Sequence, residues 1–160
     1  ARAKGEKDWE KFDDELQKEA SVQAVRGGGT GDVSRTHVVW KRVNKAPDHV
    51  VSPLVANGRI LFVKAGGISS CFEAGSGEPV WERRRIDNAS SYLASPVFGD
   101  GKVYVAGQNG VVVVLEEGPE LNVLSKNDMG EAIIGTPGIA DRRLYIRTRT
   151  KLYCIADTKP

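Results

Sequence analysis

The chain has 160 residues and a formal net charge of +2 at pH 7. That length suits one folded core, and the balanced charge gives no bulk electrostatic reason to expect a nucleic-acid or membrane-surface partner. Eighteen glycines and seven prolines lie between short apolar runs, a pattern typical of short strands joined by turns. No apolar run approaches the ~20 residues that a membrane-spanning helix needs. Composition therefore favours an all-β protein.

The N-terminal residues 1–20 contain the helical pattern of the chain. In residues 6–20 the apolar positions recur at helical spacing and charged residues fill the other faces; they are Trp9, Phe12, Leu16 and Ala20. This spacing predicts one short amphipathic helix. Two interpretations stay open: the helix lies on the sheet edge of its own domain, or it docks a partner.

A glycine-rich segment, residues 27–35, separates two predicted strands at residues 21–26 and 36–42. It contains three consecutive glycines followed by Gly31. A phosphate-binding P-loop also needs a Lys-Ser/Thr pair that opens a helix, whereas here a strand follows. We interpret the segment as an interstrand loop.

The rest of the chain is a repeat. Residues 52–81 align without a gap on residues 95–124, and a shorter third copy begins at Thr136. Each of the first two copies contains four predicted strands and the third contains three: 49–56, 59–64, 68–73 and 79–84; 92–98, 102–106, 111–116 and 121–126; 133–140, 143–148 and 152–156. The apolar runs of the inner strands predict that both faces of each sheet are covered.

Two-residue turns join the first and second strands of each copy. Asn57-Gly58 and Asp100-Gly101 are favourable for a type I′ hairpin, which needs positive φ at both central residues. Asp141-Arg142 replaces them in the third copy, with some loss of turn quality.

Repeats of 41 to 43 residues with four antiparallel strands fit the blades of a β-propeller. The predicted blades are a remnant at 21–43 and blades at 49–85, 92–127 and 133–156. Propellers close with four to eight blades, so this partial β-propeller of about three blades is expected to be a C-terminal piece of a longer chain. An assembly of copies is the alternative, and self-association through open blade edges is expected in either case.

The segment FEAGSGEPVW resembles the tryptophan-docking motif of pyrroloquinoline-quinone-like (PQQ-like) propeller repeats, Ala-x-Asp-x-x-x-Gly-x-x-x-Trp. Glu73 stands where Asp is usual, and both Gly77 and Trp81 match. The resemblance covers about residues 36–156. It implies structural blade-docking roles for Glu73, Gly77 and Trp81, and for Trp40, which has the same place in the preceding unit.

The resemblance to quinoproteins also implies PQQ and calcium, held by residues from several blades and an adjacent cysteine pair. Cys71 and Cys154 are not adjacent, and we expect two free, buried thiols. Acidic and amide residues in the loops between blades are interpreted as solvated turn residues; they are Asp87, Asn88, Asn127, Asp128 and Glu131. We therefore assign no catalytic, cofactor-binding or metal-binding residue.

The third copy carries a basic surface, Arg142, Arg143, Arg147 and Arg149. It is a candidate surface for an acidic protein or an anionic glycan. The favoured hypothesis is a non-catalytic propeller module that binds protein in a bacterial envelope or secreted protein, although no signal peptide is present in residues 1–160. The alternatives are part of a quinoprotein alcohol or sugar dehydrogenase, and a polyanion-binding or glycan-binding module.

Overall fold

The computed structural model describes residues 21–43, 51–87 and 91–157. The helix predicted at residues 6–20 lies outside this part of the chain. The described residues form thirteen strands, as predicted: β1 (Ser21–Val25), β2 (Val38–Val43), β3 (Leu54–Ala56), β4 (Arg59–Lys64), β5 (Ile68–Glu73), β6 (Pro79–Arg85), β7 (Val97–Gly99), β8 (Lys102–Ala106), β9 (Val111–Glu116), β10 (Asn122–Asp128), β11 (Gly138–Ala140), β12 (Arg143–Arg147) and β13 (Leu152–Ala156).

Consecutive strands pair antiparallel into four sheets. Sheet 1 contains β1 and β2, sheet 2 contains β3 to β6, sheet 3 contains β7 to β10, and sheet 4 contains β11 to β13. Sheets 2, 3 and 4 are successive blades of a partial β-propeller. No helix among the described residues is long and apolar enough to cross a membrane.

The first strand of each blade is shorter than predicted. β3, β7 and β11 each begin directly after a proline, at Pro53, Pro96 and Pro137. Proline has no N–H to donate to a ladder, so regular pairing begins only at the next residue. The other strand bounds differ from the predicted ones by two residues or fewer.

The three predicted tight turns adopt the expected backbone. Asn57 and Gly58 have φ of 46° and 76°, and Asp100 and Gly101 have φ of 53° and 67°. Asp141 and its neighbour keep the same conformation without a glycine, at 49° and 60°. The third copy therefore retains the hairpin at the expense of backbone strain.

The chain divides into two compact units. The smaller one comprises sheet 1 together with Gly75–Gly77. Within it Gly77 has a φ of 71°, and a Cβ built there would lie 2.5 Å from Cδ2 of Trp40. Arg42 Nε donates to the Gly77 carbonyl at 2.7 Å. The glycine is needed because the indole occupies the space that a side chain would take.

The larger unit contains sheets 2, 3 and 4 and two apolar clusters. The first cluster, between sheets 2 and 3, includes Val63, Val105 and Val113, each fully buried. The second, between sheets 3 and 4, includes Ala106, Val112 and Ile146. Both faces of β9 are thus covered, as its unbroken apolar sequence predicted.

Hydroxyl groups at the starts of sheets 3 and 4 link each of these blades to the blade before it. Ser95 Oγ accepts from the Ser52 N–H at 3.0 Å, and Thr136 Oγ1 accepts from the Ser95 N–H at 3.0 Å. The residues just before β3, β7 and β11 therefore hold successive blades in register.

Candidate binding surface

Sheet 4 exposes the face that corresponds to the covered faces of sheets 2 and 3. The strand registers make Val63, Ala106 and Arg147 equivalent positions on β4, β8 and β12. The valine and the alanine have no exposed surface, whereas the arginine is exposed. A charged side chain thus occupies a position that is apolar and fully buried in both preceding blades.

The neighbouring strand of sheet 4 shows the same contrast. Leu152 pairs with Arg147 and is 72% exposed, whereas its equivalent Val112 is 2% exposed. Cys154 is also exposed. We call this surface the end face; it comprises Arg143, Tyr145, Arg147, Leu152 and Cys154.

The two cysteines differ in environment. Both are free, as predicted. Cys71 is buried between sheets 2 and 3, and its burial raises the pKa of the thiol to about 11. The prediction that Cys154 is buried was wrong, because no described residue covers that face of sheet 4 as sheet 3 covers Cys71.

A cleft of about 300 Å³ borders the end face. Its lining includes Arg147 and Arg149 with the apolar Ile134, which is 59% exposed. No carboxylate of the described residues pairs with either arginine. Two cations beside an exposed aliphatic side chain suit an acidic ligand that also has apolar groups.

The structure brings together only two of the four predicted arginines. Arg142 lies in the turn before β12 and Arg143 begins that strand, whereas Arg147 ends it. At about 3.4 Å per residue the ends of β12 are about 14 Å apart. The basic surface is therefore a pair of arginines at the cleft and a second pair at the opposite end of the strand.

Glu131 fixes the hairpin that carries the cleft arginines. Its carboxylate accepts from Thr148 Oγ1 at 2.7 Å, from the Thr150 N–H at 2.9 Å and from Thr150 Oγ1 at 2.7 Å. Lys151 Nζ lies 3.4 Å from Oε1. Hydrogen bonds from the two threonines lower the pKa of Glu131 to about 2.

Asp87 contacts sheet 3 in the same way that Glu131 contacts sheet 4. It accepts from Asn109 Nδ2 at 3.1 Å and from Lys126 Nζ at 3.2 Å, both in sheet 3 or its hairpin. The prediction that Asp87 and Glu131 are solvated was wrong. Asp87 and Glu131 lie in the linkers between blades, and these linkers pass close to Gly67 and Gly110. A Cβ built on Gly67 would lie 2.0 Å from the Asp87 carbonyl oxygen, and one on Gly110 would lie 2.6 Å from that of Glu131. This close approach places each carboxylate beside the hairpin of the next blade.

The motif residues on sheet 2 lie apart from the end face. Trp81 packs against the cluster between sheets 2 and 3, with Nε1 3.4 Å from Ser69 Oγ. Glu73 lies 3.8 Å from Arg59 Nε, and the Glu73 N–H donates to the Glu78 carbonyl at 2.8 Å. Trp40 and Gly77 are in contact in the smaller unit. The blade-docking roles of Glu73, Gly77, Trp81 and Trp40 remain predictions.

Within residues 21–43, 51–87 and 91–157, no group of three His, Cys, Asp or Glu side chains could hold a metal ion. The carboxylates of Asp87 and Glu131 are occupied by neighbouring hairpins.

Stacked four-stranded blades with a tryptophan against a motif glycine define a propeller of the PQQ-like repeat class. The sequence profile described as "Outer membrane protein assembly factor BamB" matches residues 32–159, most of the chain. The chain therefore belongs to this family. No curated protein sequence matches it at a significant level.

Two solved structures show the same fold. BamB from Moraxella catarrhalis aligns with a TM-score of 0.58 and 19% identity, over 74% of this chain and 36% of that one. The computationally designed protein Ika4 aligns with a TM-score of 0.55 and 13% identity, over 86% of this chain and 87% of that one. A europium-containing methanol dehydrogenase reaches a TM-score of 0.48 with 18% identity, over 66% of this chain and 21% of that one. The chain thus spans about a third of the length of the BamB structure.

Proposed function

We propose that the chain is a non-catalytic protein-interaction module whose end face binds an acidic, partly apolar surface of a partner protein. The exposed Arg147 carries this proposal, because the equivalent Val63 and Ala106 are fully buried between blades. Burying an arginine at that position against another apolar blade would be costly. The charge therefore favours a polar or charged partner for this face.

The surroundings of Arg147 support a protein ligand. Leu152 and Ile134 are exposed by 72% and 59%, and they offer apolar area beside the cleft arginines. Arginine with exposed apolar side chains is typical of protein interfaces, whereas a polyanion site needs mainly charge. Glu131 holds the hairpin in place, so little conformational entropy is lost there on binding.

We also propose a location in a bacterial envelope or a secreted protein. Support comes from membership of a family described as an outer membrane protein assembly factor. The quinoprotein dehydrogenase alternative can be tested by adding its cofactors. PQQ and Ca²⁺ together should leave the thermal unfolding midpoint unchanged, and a clear upward shift would revive that alternative.

Binding to the end face can be tested by fluorescence anisotropy with a labelled peptide of alternating glutamate and leucine. Arg147→Glu should weaken binding at least tenfold, since an attractive contact becomes repulsive. The matched control is Arg84→Glu, an exposed arginine on β6 of sheet 2, which should bind like the wild type. Heparin binding without peptide binding would favour the polyanion alternative, and equal loss in both variants would contradict the end face.

A further inference from the structure

A small cavity lies between sheets 2 and 3, where the β3–β4 hairpin meets the β9–β10 loop. Its volume is about 30 Å³, enough for about one or two water molecules. The walls are mainly apolar and include Leu61, Trp81 and Cys71. Arg59 and Glu117 also line it. Because sheets 2 and 3 each have four strands, the cavity is enclosed by two full blades.

Polar side chains from both sheets meet at the mouth of this cavity. Glu117 follows β9 in sheet 3, and its carboxylate accepts from Arg59 Nη1 at 2.6 Å and from Asn57 Nδ2 at 2.9 Å. Both donors belong to the β3–β4 hairpin of sheet 2. The arginine and the glutamate side chains are 24% and 16% exposed, so they separate the cavity from solvent. We call Asn57, Arg59 and Glu117 the clamp.

The corresponding hairpin of sheet 3 is built differently. Lys102 has the place of Arg59, and its Nζ lies 2.9 Å from a carboxylate oxygen of Asp100 in the same hairpin. Beside it, a Cβ built on Gly99 would lie 2.8 Å from Cδ1 of Ile139 in sheet 4, so an apolar side chain packs directly on this hairpin. Within the described part of the chain, a charged clamp across two blades is thus a feature of sheets 2 and 3.

The clamp is held less firmly than the strands beside it. Arg59 Nε is buried and has no hydrogen-bond partner among the described residues. Glu73 Oε1 lies 3.8 Å from it, which is too far for a hydrogen bond. Glu117 lies in the loop between β9 and β10, and Gly118 follows it in open space. Partly exposed ion pairs contribute little stability and are screened by salt, so these features favour opening at the loop before the strands separate.

Cys71 lies beneath the clamp and reports on access to the cavity. It is 2% exposed, and burial raises the pKa of its thiol to about 11. The thiolate is the reactive form of cysteine, so Cys71 is unreactive while the clamp is closed. Cys154 is exposed. The chain therefore contains its own reference for cysteine reactivity.

We propose that the clamp is a lid, which opens without unfolding of sheets 2 and 3 and admits small uncharged molecules to the cavity and to Cys71. The apolar walls favour uncharged molecules, because burying a charge among them would be costly. In its closed state the lid shields the thiol from reagents in solution. No residue of the clamp belongs to the end face, so failure of this proposal would leave the proposed peptide binding intact.

The rate of alkylation by iodoacetamide measures opening of the lid. The thiolate sulfur bonds to the reagent's methylene carbon and displaces iodide, and the thiol proton passes to the buffer. Peptide mass spectrometry follows Cys71 and Cys154 separately in one sample of the full chain. Cys154 should react fast and Cys71 slowly. Salt at about 1 M, where the screening length is about 3 Å, should speed the reaction of Cys71 alone, whereas low urea should change it little, because a local opening exposes little surface.

Two substitutions remove the clamp from opposite sides. Glu117→Ala should speed alkylation of Cys71 roughly tenfold or more, because charge-assisted hydrogen bonds between the sheets are lost. Arg59→Met should have a similar effect, and the double variant should react no faster than the single ones. The matched control is Glu116→Ala, which removes a neighbouring carboxylate that also lines the cavity but bonds within sheet 3. It should react like the wild type.

The dependence on urea separates a lid from global unfolding. If the Cys71 rate of the wild type rises with urea as steeply as the unfolding equilibrium, the thiol is reached only by unfolding and the proposal is overturned. Equal Cys71 rates in Glu117→Ala and Glu116→Ala would overturn it as well. Should Glu117→Ala prove unstable as a whole, the salt and urea dependences of the wild type still decide the question.

Discussion

At the scale of single residues, Glu131 links the fold to the candidate surface. Its carboxylate accepts three hydrogen bonds from Thr148 and Thr150, and these residues flank Arg149. Hydrogen bonds to the charged form stabilise it, and they lower the pKa from 4.5 to about 2. Folding is therefore favoured while Glu131 is ionised.

This lowered pKa makes stability depend on pH. A carboxylate whose pKa is depressed in the folded state contributes stability that is fully present above pH 4.5 and is lost as the pH falls to about 2. Glu131→Gln should lower the thermal unfolding midpoint at pH 7, and its difference from the wild type should narrow across this window. Glu120→Gln, at an exposed glutamate, is the control. A constant difference from pH 7 to pH 2 would contradict this account.

Arg142 illustrates a different conflict, between local strain and a surface charge. Its φ is 60°, whereas glycine occupies the equivalent turn positions, Gly58 and Gly101, at 76° and 67°. A non-glycine residue in this region costs about 1–2 kcal/mol. Sheet 4 retains this strain, and the turn before β12 carries a cation.

Arg142→Gly should therefore stabilise the protein, by about 1 kcal/mol once the greater freedom of glycine in the unfolded chain is included. Urea unfolding measures the change. Arg149→Gly removes the same charge in a turn without a positive φ, so it should not stabilise. If both variants show the same free energy of unfolding, strain at Arg142 is not the cause.

Single residues also mark the limit of sequence reasoning. Asn57-Gly58 predicted its turn because the requirement for positive φ is local. The roles of Asp87 and Glu131 were missed because their partners depend on where the linker crosses Gly67 or Gly110. A carboxylate between two strands looks solvated in the sequence, and only the packed linker shows the next hairpin beside it.

At the scale of elements, the starts of the blades form a ladder of hydroxyl groups. The gapless alignment placed Ser52 on Ser95, and it opened the third copy at Thr136. The alignment could not show that each hydroxyl accepts the N–H of the residue one repeat earlier, because that contact lies between sheets. Sequence repetition therefore predicted that these residues occupy equivalent positions. Only the packing of the sheets shows that their hydroxyl groups form hydrogen bonds between blades.

The ladder predicts a specific requirement for a hydroxyl at residue 136. Thr136→Val keeps the shape but removes the acceptor for the Ser95 N–H, so it should cost about 1 kcal/mol in urea unfolding. Thr136→Ser keeps the hydroxyl and is the matched control, with a much smaller loss. Equal losses would mean that the methyl group, rather than the hydrogen bond, matters.

At the scale of the whole molecule, burial varies systematically from sheet to sheet. Sheet 3 lies between two apolar clusters, and Val105, Ala106 and Val113 have no exposed surface. β1 and β2 contain no fully buried residue. β13 contains none either, and among the described residues it is the outermost strand of sheet 4. Local stability in arrays of repeats follows such neighbour contacts.

Hydrogen exchange followed by mass spectrometry should reproduce this order. Amides of β8 and β9 should exchange slowest, because opening them requires the loss of both clusters, whereas β1, β2 and β13 should exchange by local opening. Uniform exchange rates across all thirteen strands would instead indicate that the sheets open together, and would contradict a stability gradient set by burial.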